Sequence, residues 1–202
     1  MTDPVAEFAA VMRRLRAECP WKAEQTHRSL VRYLLEETAE VVDAIDEGEA
    51  SGDFSHLGEE LGDLLLQVVF HAVIAEQRGD FTLDDVARGI TDKMIRRNPH
   101  VFSAEAGAAA GDLDAAEVDA QWQRIKAQEK PRERADDGIG PTLSALVYAD
   151  KVLARLERAG TPAAPDPASS EIGERLLALV DDARRAGVDP EQALRDAVRA
   201  RL

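Results

Sequence analysis

Residues 55–79 read SHLGEELGDLLLQVVFHAVIAEQRG. From Leu61 to Ala75 this segment is apolar on nearly every side of a 3.6-residue helix, interrupted by Gln67 and His71, so it is expected to be the buried centre of a helical bundle. Gly79 stops it. The most apolar part, Leu64 to Ala75, falls short of the roughly 20 residues that a membrane span needs.

Working outward, the same periodicity recurs on both sides and no convincing period-2 strand interrupts it. A helix from about Ser29 to Gly48 carries the stripe Leu30, Leu34, Val41 and Ile45, with Glu37 inside that stripe. Before it, Pro4 is a good first-turn residue for a helix to Glu18 with Phe8, Val11, Met12 and Leu15 on one face. The turn Cys19-Pro20-Trp21 breaks that helix. After Gly79, Thr82 with Asp85 three residues on resembles a capping box, and Pro99 stops the helix so begun. Residues 103–114, rich in Ala and Gly, read as a loop, and Asp114 to Glu129 as another helix. PRERADDGIGP (131–141) looks like a linker, with Pro141 opening a helix to about Arg158. AGTPAAPDPASS (159–170) is a second flexible stretch. Helices follow at about Ser170–Ala186 and Pro190–Arg201, the last with Asp189 as its cap. The reading is all-α: a first domain over 1–130, a linker over 131–140 and a helical segment over 141–202.

The 202 residues are 45% hydrophobic, enough for a packed core, so wholesale disorder is excluded. A formal net charge of −14 argues against nucleic-acid partners and against an anionic membrane surface. A phosphorylated small molecule remains compatible if a divalent metal and local cations reverse the field. Cys19 is the single cysteine, so no intrachain disulfide is possible and a reducing compartment is expected. The N-terminal residues lack the basic-then-apolar order of a signal peptide. A cytoplasmic location is the expectation.

Two acidic motifs carry the chemistry. Glu36-Glu37-Thr38-Ala39-Glu40 lies on the second helix and Glu60-Leu61-Gly62-Asp63 opens the third. Glu37 and Glu40 share one helical face, as do Glu60 and Asp63. Both pairs adjoin apolar stripes, so both helices would bring carboxylates against one bundle interior. Uncompensated, such carboxylates repel and lose hydration. A hard divalent cation resolves this, since Mg²⁺ takes oxygen ligands and keeps positions for water and phosphate. The competing reading is a set of solvated charges, natural in a chain with 39 acidic residues. For Glu36, Glu47 and Glu59 taken singly that reading is the better one.

The chain resembles the MazG family of nucleotide pyrophosphohydrolases. Glu36-Glu37-x-x-Glu40, a gap of nineteen residues, then Glu60-x-x-Asp63 is similar to that family's metal signature. Cys19-Pro20-Trp21, Glu24-Gln25-Thr26-His27, LLEETAEVVDAI (34–45), EELGDLLLQVVFHA (59–72), RRNPHVF (96–102) and Trp122-Gln-Arg-Ile-Lys126 resemble family blocks in the same order, covering about residues 5–130. Lys22 departs from the acidic residue expected after Trp21, which weakens the role of that turn. The resemblance implies an oligomeric helical bundle of the MazG type. It implies that Glu37, Glu40, Glu60 and Asp63 bind Mg²⁺, with Glu36 as a weaker candidate for orienting water. It also implies attack of water near the α-phosphate of a nucleoside triphosphate, canonical or damaged, with release of pyrophosphate.

Cations fit the same chemistry. Lys93, Arg96 and Arg97 cluster at the end of the fourth helix, and Lys93 and Arg97, four apart, share a face that could meet phosphate oxygens. Cations favoured at a helix C-terminus by its dipole are the alternative. Trp122 and Lys126, also four apart, would offer an indole to a base or sugar and an ammonium to a phosphate. A core Trp with a snorkelling Lys is the alternative, and for Trp21 core packing is the better reading. His71, in the buried helix, reads as a hydrogen-bonded core residue; His27 and His100 carry no assignment.

Residues 141–202 read as a degenerate second copy. Glu171-Ile-Gly173-Glu174-Arg-Leu176-Leu177 echoes Glu60-Leu-Gly62-Asp63-Leu-Leu65-Leu66, and VDDARRAGVDPEQALRDAV (180–198) parallels VFHAVIAEQRGDFTLDDVARGI (69–90). It lacks a Glu-Glu-x-x-Glu helix, so a packing or dimerisation role is expected. Two other functions are weighed: a phosphoribosyl-ATP pyrophosphohydrolase and a non-catalytic nucleotide-sensing regulator. The blocks over 96–126 disfavour the former, and the intact acidic pairs disfavour the latter.

Overall fold

A computed structural model describes residues 3–103, 113–129 and 133–201, all of them helix, turn or irregular chain without a strand. The chain divides into two compact units, with the boundary in sequence between Val118 and Asp119. The loop expected over 103–114 falls largely outside the described residues.

In the first unit, α1 spans Pro4–Glu18, α2 Pro20–Glu24, α3 Val31–Ser51, α4 Ser55–Arg78, α5 Leu83–Arg97 and α6 Pro99–Phe102. The Asp3 side chain accepts a hydrogen bond from the Val5 N–H at 2.9 Å, and Pro4 occupies the first helical turn where its missing N–H costs nothing. Pro20 likewise opens α2, so the Cys19-Pro20-Trp21 segment is one helix end followed at once by one helix start. Gly52, at φ +79°, turns the chain out of α3, and Asp53 accepts from both the N–H and the hydroxyl of Ser55 to start α4. This short connection folds α3 and α4 into an antiparallel hairpin, the dominant packing of the unit. Gly79, at φ +73°, ends α4, with the Asp80 N–H bonded to Ala75 O. Thr82 and Asp85 form the reciprocal capping box of α5.

The core joins α1 to the C-terminal half of α4: Ala9, Met12, Leu30, Val69, Phe70, Val73 and Ile74 are buried together, with Phe8, Leu15, Tyr33, Leu66 and Leu83 packed around them. The expectation of a helix buried from Leu61 onward therefore needs correction. Burial is continuous over Ala72–Ala75, whereas Leu61, Leu65 and Val68, at the spacing of one helical face, are exposed. The core reached by α1 lies beyond them. Trp21 is corrected as well: its indole is 48% exposed and stands edge-on to Tyr33 at 5.9 Å, because the single turn of α2 keeps it at the surface.

In the second unit, α7 (Ala115–Glu129, which begins in the first unit), α8 (Ala145–Arg158), α9 (Ile172–Arg185) and α10 (Pro190–Arg199) follow. Helix α8 packs on α9 and α10, burying Leu153, Ala178 and Val180. Ser144, not Pro141, starts α8, its hydroxyl accepting from Val147 N; Pro141 sits in the preceding turn. Residues 133–140, expected as linker, are tied to α8. Arg155 donates to the carbonyls of Ala135 and Asp137, each at 2.7 Å, and Ile139 is buried. Asp189 caps α10 ahead of Pro190, as its sequence predicts. No helix among the described residues is long and apolar enough to cross a membrane.

Candidate metal centre

The α3–α4 hairpin sets the geometry of the acidic residues. Glu37 lies about a third of the way along α3, on the stripe that continues through Val41, Ala44 and Gly48 toward α4. Glu60 and Asp63, one turn apart, lie in the first half of α4. Because the helices run antiparallel, these carboxylates meet: one oxygen from each of Glu37, Glu60 and Asp63 lies within 4.8 Å of the others. These three carboxylates, from two helices, are the groups that would hold a divalent cation there. An all-carboxylate donor set suits a hard divalent cation.

Glu40, one turn beyond Glu37 on α3, is exposed and stands outside this group of three, yet near enough to Glu37 to act on its carboxyl. The crowding is visible in the Glu37 carboxyl. Burial, then the charge of Asp63, then Glu40 hold its pKa above the ordinary value, and a hydrogen bond from Gln67 opposes them. Glu36 is elsewhere: its side chain is 55% exposed and pairs with Arg32 across one helical turn.

Two neighbours escaped the sequence reading. His56 places Nε2 2.9 Å from Glu60 Oε1 and Nδ1 2.9 Å from Glu47 Oε2. Two carboxylate acceptors ask for a proton on both ring nitrogens, and the hydrogen bond to Glu47 is the largest of the effects that raise the pKa of His56. Gln67 is buried, and its Nε2 donates to Glu37 Oε1 at 3.3 Å. The signal for both was spacing: His56 precedes Glu60 by four residues and Gln67 follows Asp63 by four, so all share a face of α4. His71, one turn further, is half-buried and bonded through Nδ1 to His27 Nδ1 at 2.8 Å, in keeping with the reading of it as a hydrogen-bonded residue.

Of the cations, Lys93 and Arg97 lie partly buried in the last two turns of α5, with Arg96 exposed beside them. Helix α5 packs against α4, which places this basic end in the same unit as the acidic cluster. Trp122 and Lys126 lie on α7, within the second unit, and are partly buried.

Comparison with known proteins bears on the same residues. The MazG nucleotide pyrophosphohydrolase domain matches residues 25–102, a span that contains α3, α4, α5 and all the carboxylates above. A Streptomyces cacaoi protein described as uncharacterised is 44% identical, over 96% of this chain and 81% of its own. The Thermotoga maritima nucleoside triphosphate pyrophosphohydrolase/pyrophosphatase MazG is 38% identical, over 96% of this chain and 80% of its own. The Escherichia coli nucleoside triphosphate pyrophosphohydrolase is 40% identical, over 93% of this chain and 70% of its own.

Proposed function

The chain belongs to the MazG nucleotide pyrophosphohydrolase family, and from that membership we propose that it hydrolyses nucleoside triphosphates to the monophosphate and pyrophosphate at a Mg²⁺ site on the α3–α4 hairpin. The observation that carries this reading is the convergence of Glu37, Glu60 and Asp63 within 4.8 Å, from two helices, inside the span that matches the family domain. Glu40 completes the proposed ligand set through a rotation of its exposed side chain. When bound, the cation neutralises triphosphate charge and lowers the pKa of a coordinated water.

The side chains supply the rest. His56, held between Glu47 and Glu60, fixes the Glu60 carboxylate from the side. Lys93 and Arg97 on α5 meet phosphate oxygens, offsetting the field of a chain whose net charge is −14. Glu36, facing solvent and paired with Arg32, is left out of the mechanism. The exposed row Leu61, Leu65 and Val68 supports assembly with a second copy of the chain, which a solution mass measurement tests.

The test of the activity is product analysis. The purified chain is incubated with a panel of canonical and oxidised ribo- and deoxyribonucleoside triphosphates and with phosphoribosyl-ATP, with and without Mg²⁺. Monophosphate and pyrophosphate in equal amounts, formed only with Mg²⁺, are expected from the triphosphates. Diphosphate with orthophosphate, or no turnover across the panel, would contradict the reading.

A further inference from the structure

Gln67 is a buried amide whose only described partner belongs to the acidic cluster. Its side chain is 3% exposed, and Nε2 donates to Glu37 Oε1 at 3.3 Å. Its Oε1 is buried and meets no partner among the described residues. Turning the amide over would aim Oε1 at an ionised carboxylate, so this orientation is the one the electrostatics select. A half-satisfied amide costs stability in a position that Met or Leu would fill with apolar atoms of similar volume. Packing alone therefore does not account for glutamine here.

Chemistry does. A Lys or Arg at this position would ion-pair with Glu37 and compete with a cation for its oxygens. A carboxylate would add charge to a cluster already crowded by Asp63 and Glu40. A hydroxyl would stop short of α3. A neutral N–H on a long side chain can hold one Glu37 oxygen while the carboxylate stays directed at Glu60 and Asp63. The helix spacing reinforces this, since Glu60, Asp63 and Gln67 succeed one another on one face of α4.

On the reading of the cluster as a divalent-cation site, we propose that Gln67 is a positioning residue: it reaches from α4 to α3 and holds Glu37 in the orientation that meets Glu60 and Asp63. It touches no substrate and acts through Glu37. Groups that orient metal ligands are worth roughly 10- to 100-fold in metal affinity.

The experiment uses the full chain free of nucleotide and measures Mn²⁺ binding by electron paramagnetic resonance for wild type, Gln67→Met and Glu37→Gln. Metal-free melting temperatures and kcat against Mg²⁺ concentration are recorded in parallel. Gln67→Met is expected to melt at or above the wild-type temperature, to bind Mn²⁺ roughly tenfold or more weakly, and to need more Mg²⁺ while recovering much of kcat at saturation. Gln67→Leu repeats the measurement with a different apolar shape should Met fail to pack. Wild-type Mn²⁺ affinity in a folded Gln67 variant, with Glu37→Gln impaired, overturns the positioning role and leaves the metal site standing. A lowered melting temperature with unchanged Mn²⁺ affinity overturns it in favour of packing. Equal Mn²⁺ binding in wild type and Glu37→Gln overturns the placement of the cation, and the role of Gln67 with it.

Discussion

At Glu37 three influences act on one carboxyl: burial, the charge of Asp63, and Glu40 one turn along α3. Each disfavours the ionised form. An acid whose folded pKa lies above its unfolded value weakens the fold once pH exceeds that unfolded value, so ionised Glu37 destabilises the metal-free protein at neutral pH. Glu37→Gln should therefore melt at or above the wild-type temperature without metal while losing at least nine-tenths of the hydrolysis rate. A lower melting temperature with retained turnover would make Glu37 a structural residue. His71 titrates in the other sense. Burial, and secondarily His27, hold its pKa below 6.5, so the folded protein binds fewer protons there than the unfolded chain does. That contribution is present above the ordinary histidine value and is lost as pH falls through it toward the lower folded pKa. His56, whose pKa is raised, has the opposite sign in the same window, so the readout is the difference between proteins. The fall in melting temperature from about pH 7 to 5.5 should be smaller in His71→Phe than in wild type, histidine titrating near 6.5; parallel curves would show that His71 is not depressed. The pairs Glu37/Glu40 and Glu60/Asp63 were legible from spacing alone. Which oxygens meet across the two helices was not, since the register of α3 against α4 is set by residues 52–54. Hence Glu40, expected inside the group, lies outside it, and Gln67, read only as an interruption, touches it.

Helix α3 approaches the start of α4 through Gly48. A Cβ there would fall 2.4 Å from Phe54 Cδ1 and 2.6 Å from Cε1, so the bare backbone is what lets the ring close the hairpin. Alanine in a helix is favoured over glycine by about 1 kcal/mol, whereas a Cβ here would have to push aside the half-exposed Phe54 ring and break its contact with α3, at a cost of about 1–3 kcal/mol if the ring cannot swing clear. Gly48→Ala should thus lower stability modestly in the wild-type background and raise it by up to about 1 kcal/mol in Phe54→Ala, where the ring is gone. The same sign in both backgrounds would show that Phe54 does not constrain Gly48. Helix ends were readable where a cap or glycine sits beside the periodic residues, as at Gly79, Thr82 and Asp189. Pro20 and Pro99 stand where helices end, as expected, and only Pro141 misled. Pro99 and Pro20 each follow a helix end and open a new turn, whereas Pro141 lies in a turn ahead of the true cap, Ser144. Proline suits both settings because it needs only φ near −65°; for α8 the Ser144 hydroxyl, three residues on, marks the true start.

For the whole molecule, the all-α class followed from the 3.6-residue period that runs through Leu34, Val41, Val69 and Val73, while the extent of burial did not. Leu61 and Leu65 have the same apolar character as Val69 and Phe70, and only the reach of α1 separates exposed from buried. The tie between residues 133–140 and α8 was hidden for a similar reason: the composition of that segment reads as linker, and the guanidinium of Arg155 that gathers its carbonyls comes from a distant position. The central claim is that the hairpin's carboxylates hold a divalent cation in the folded chain. A ligand bound only to the folded state raises the melting temperature by mass action. The most direct measurement is therefore a thermal melt of wild type and Asp63→Asn across a Mg²⁺ titration at constant ionic strength. A concentration-dependent rise in wild type that is lost in Asp63→Asn is predicted. No rise at millimolar Mg²⁺ in wild type, or an equal rise in both proteins, would contradict it.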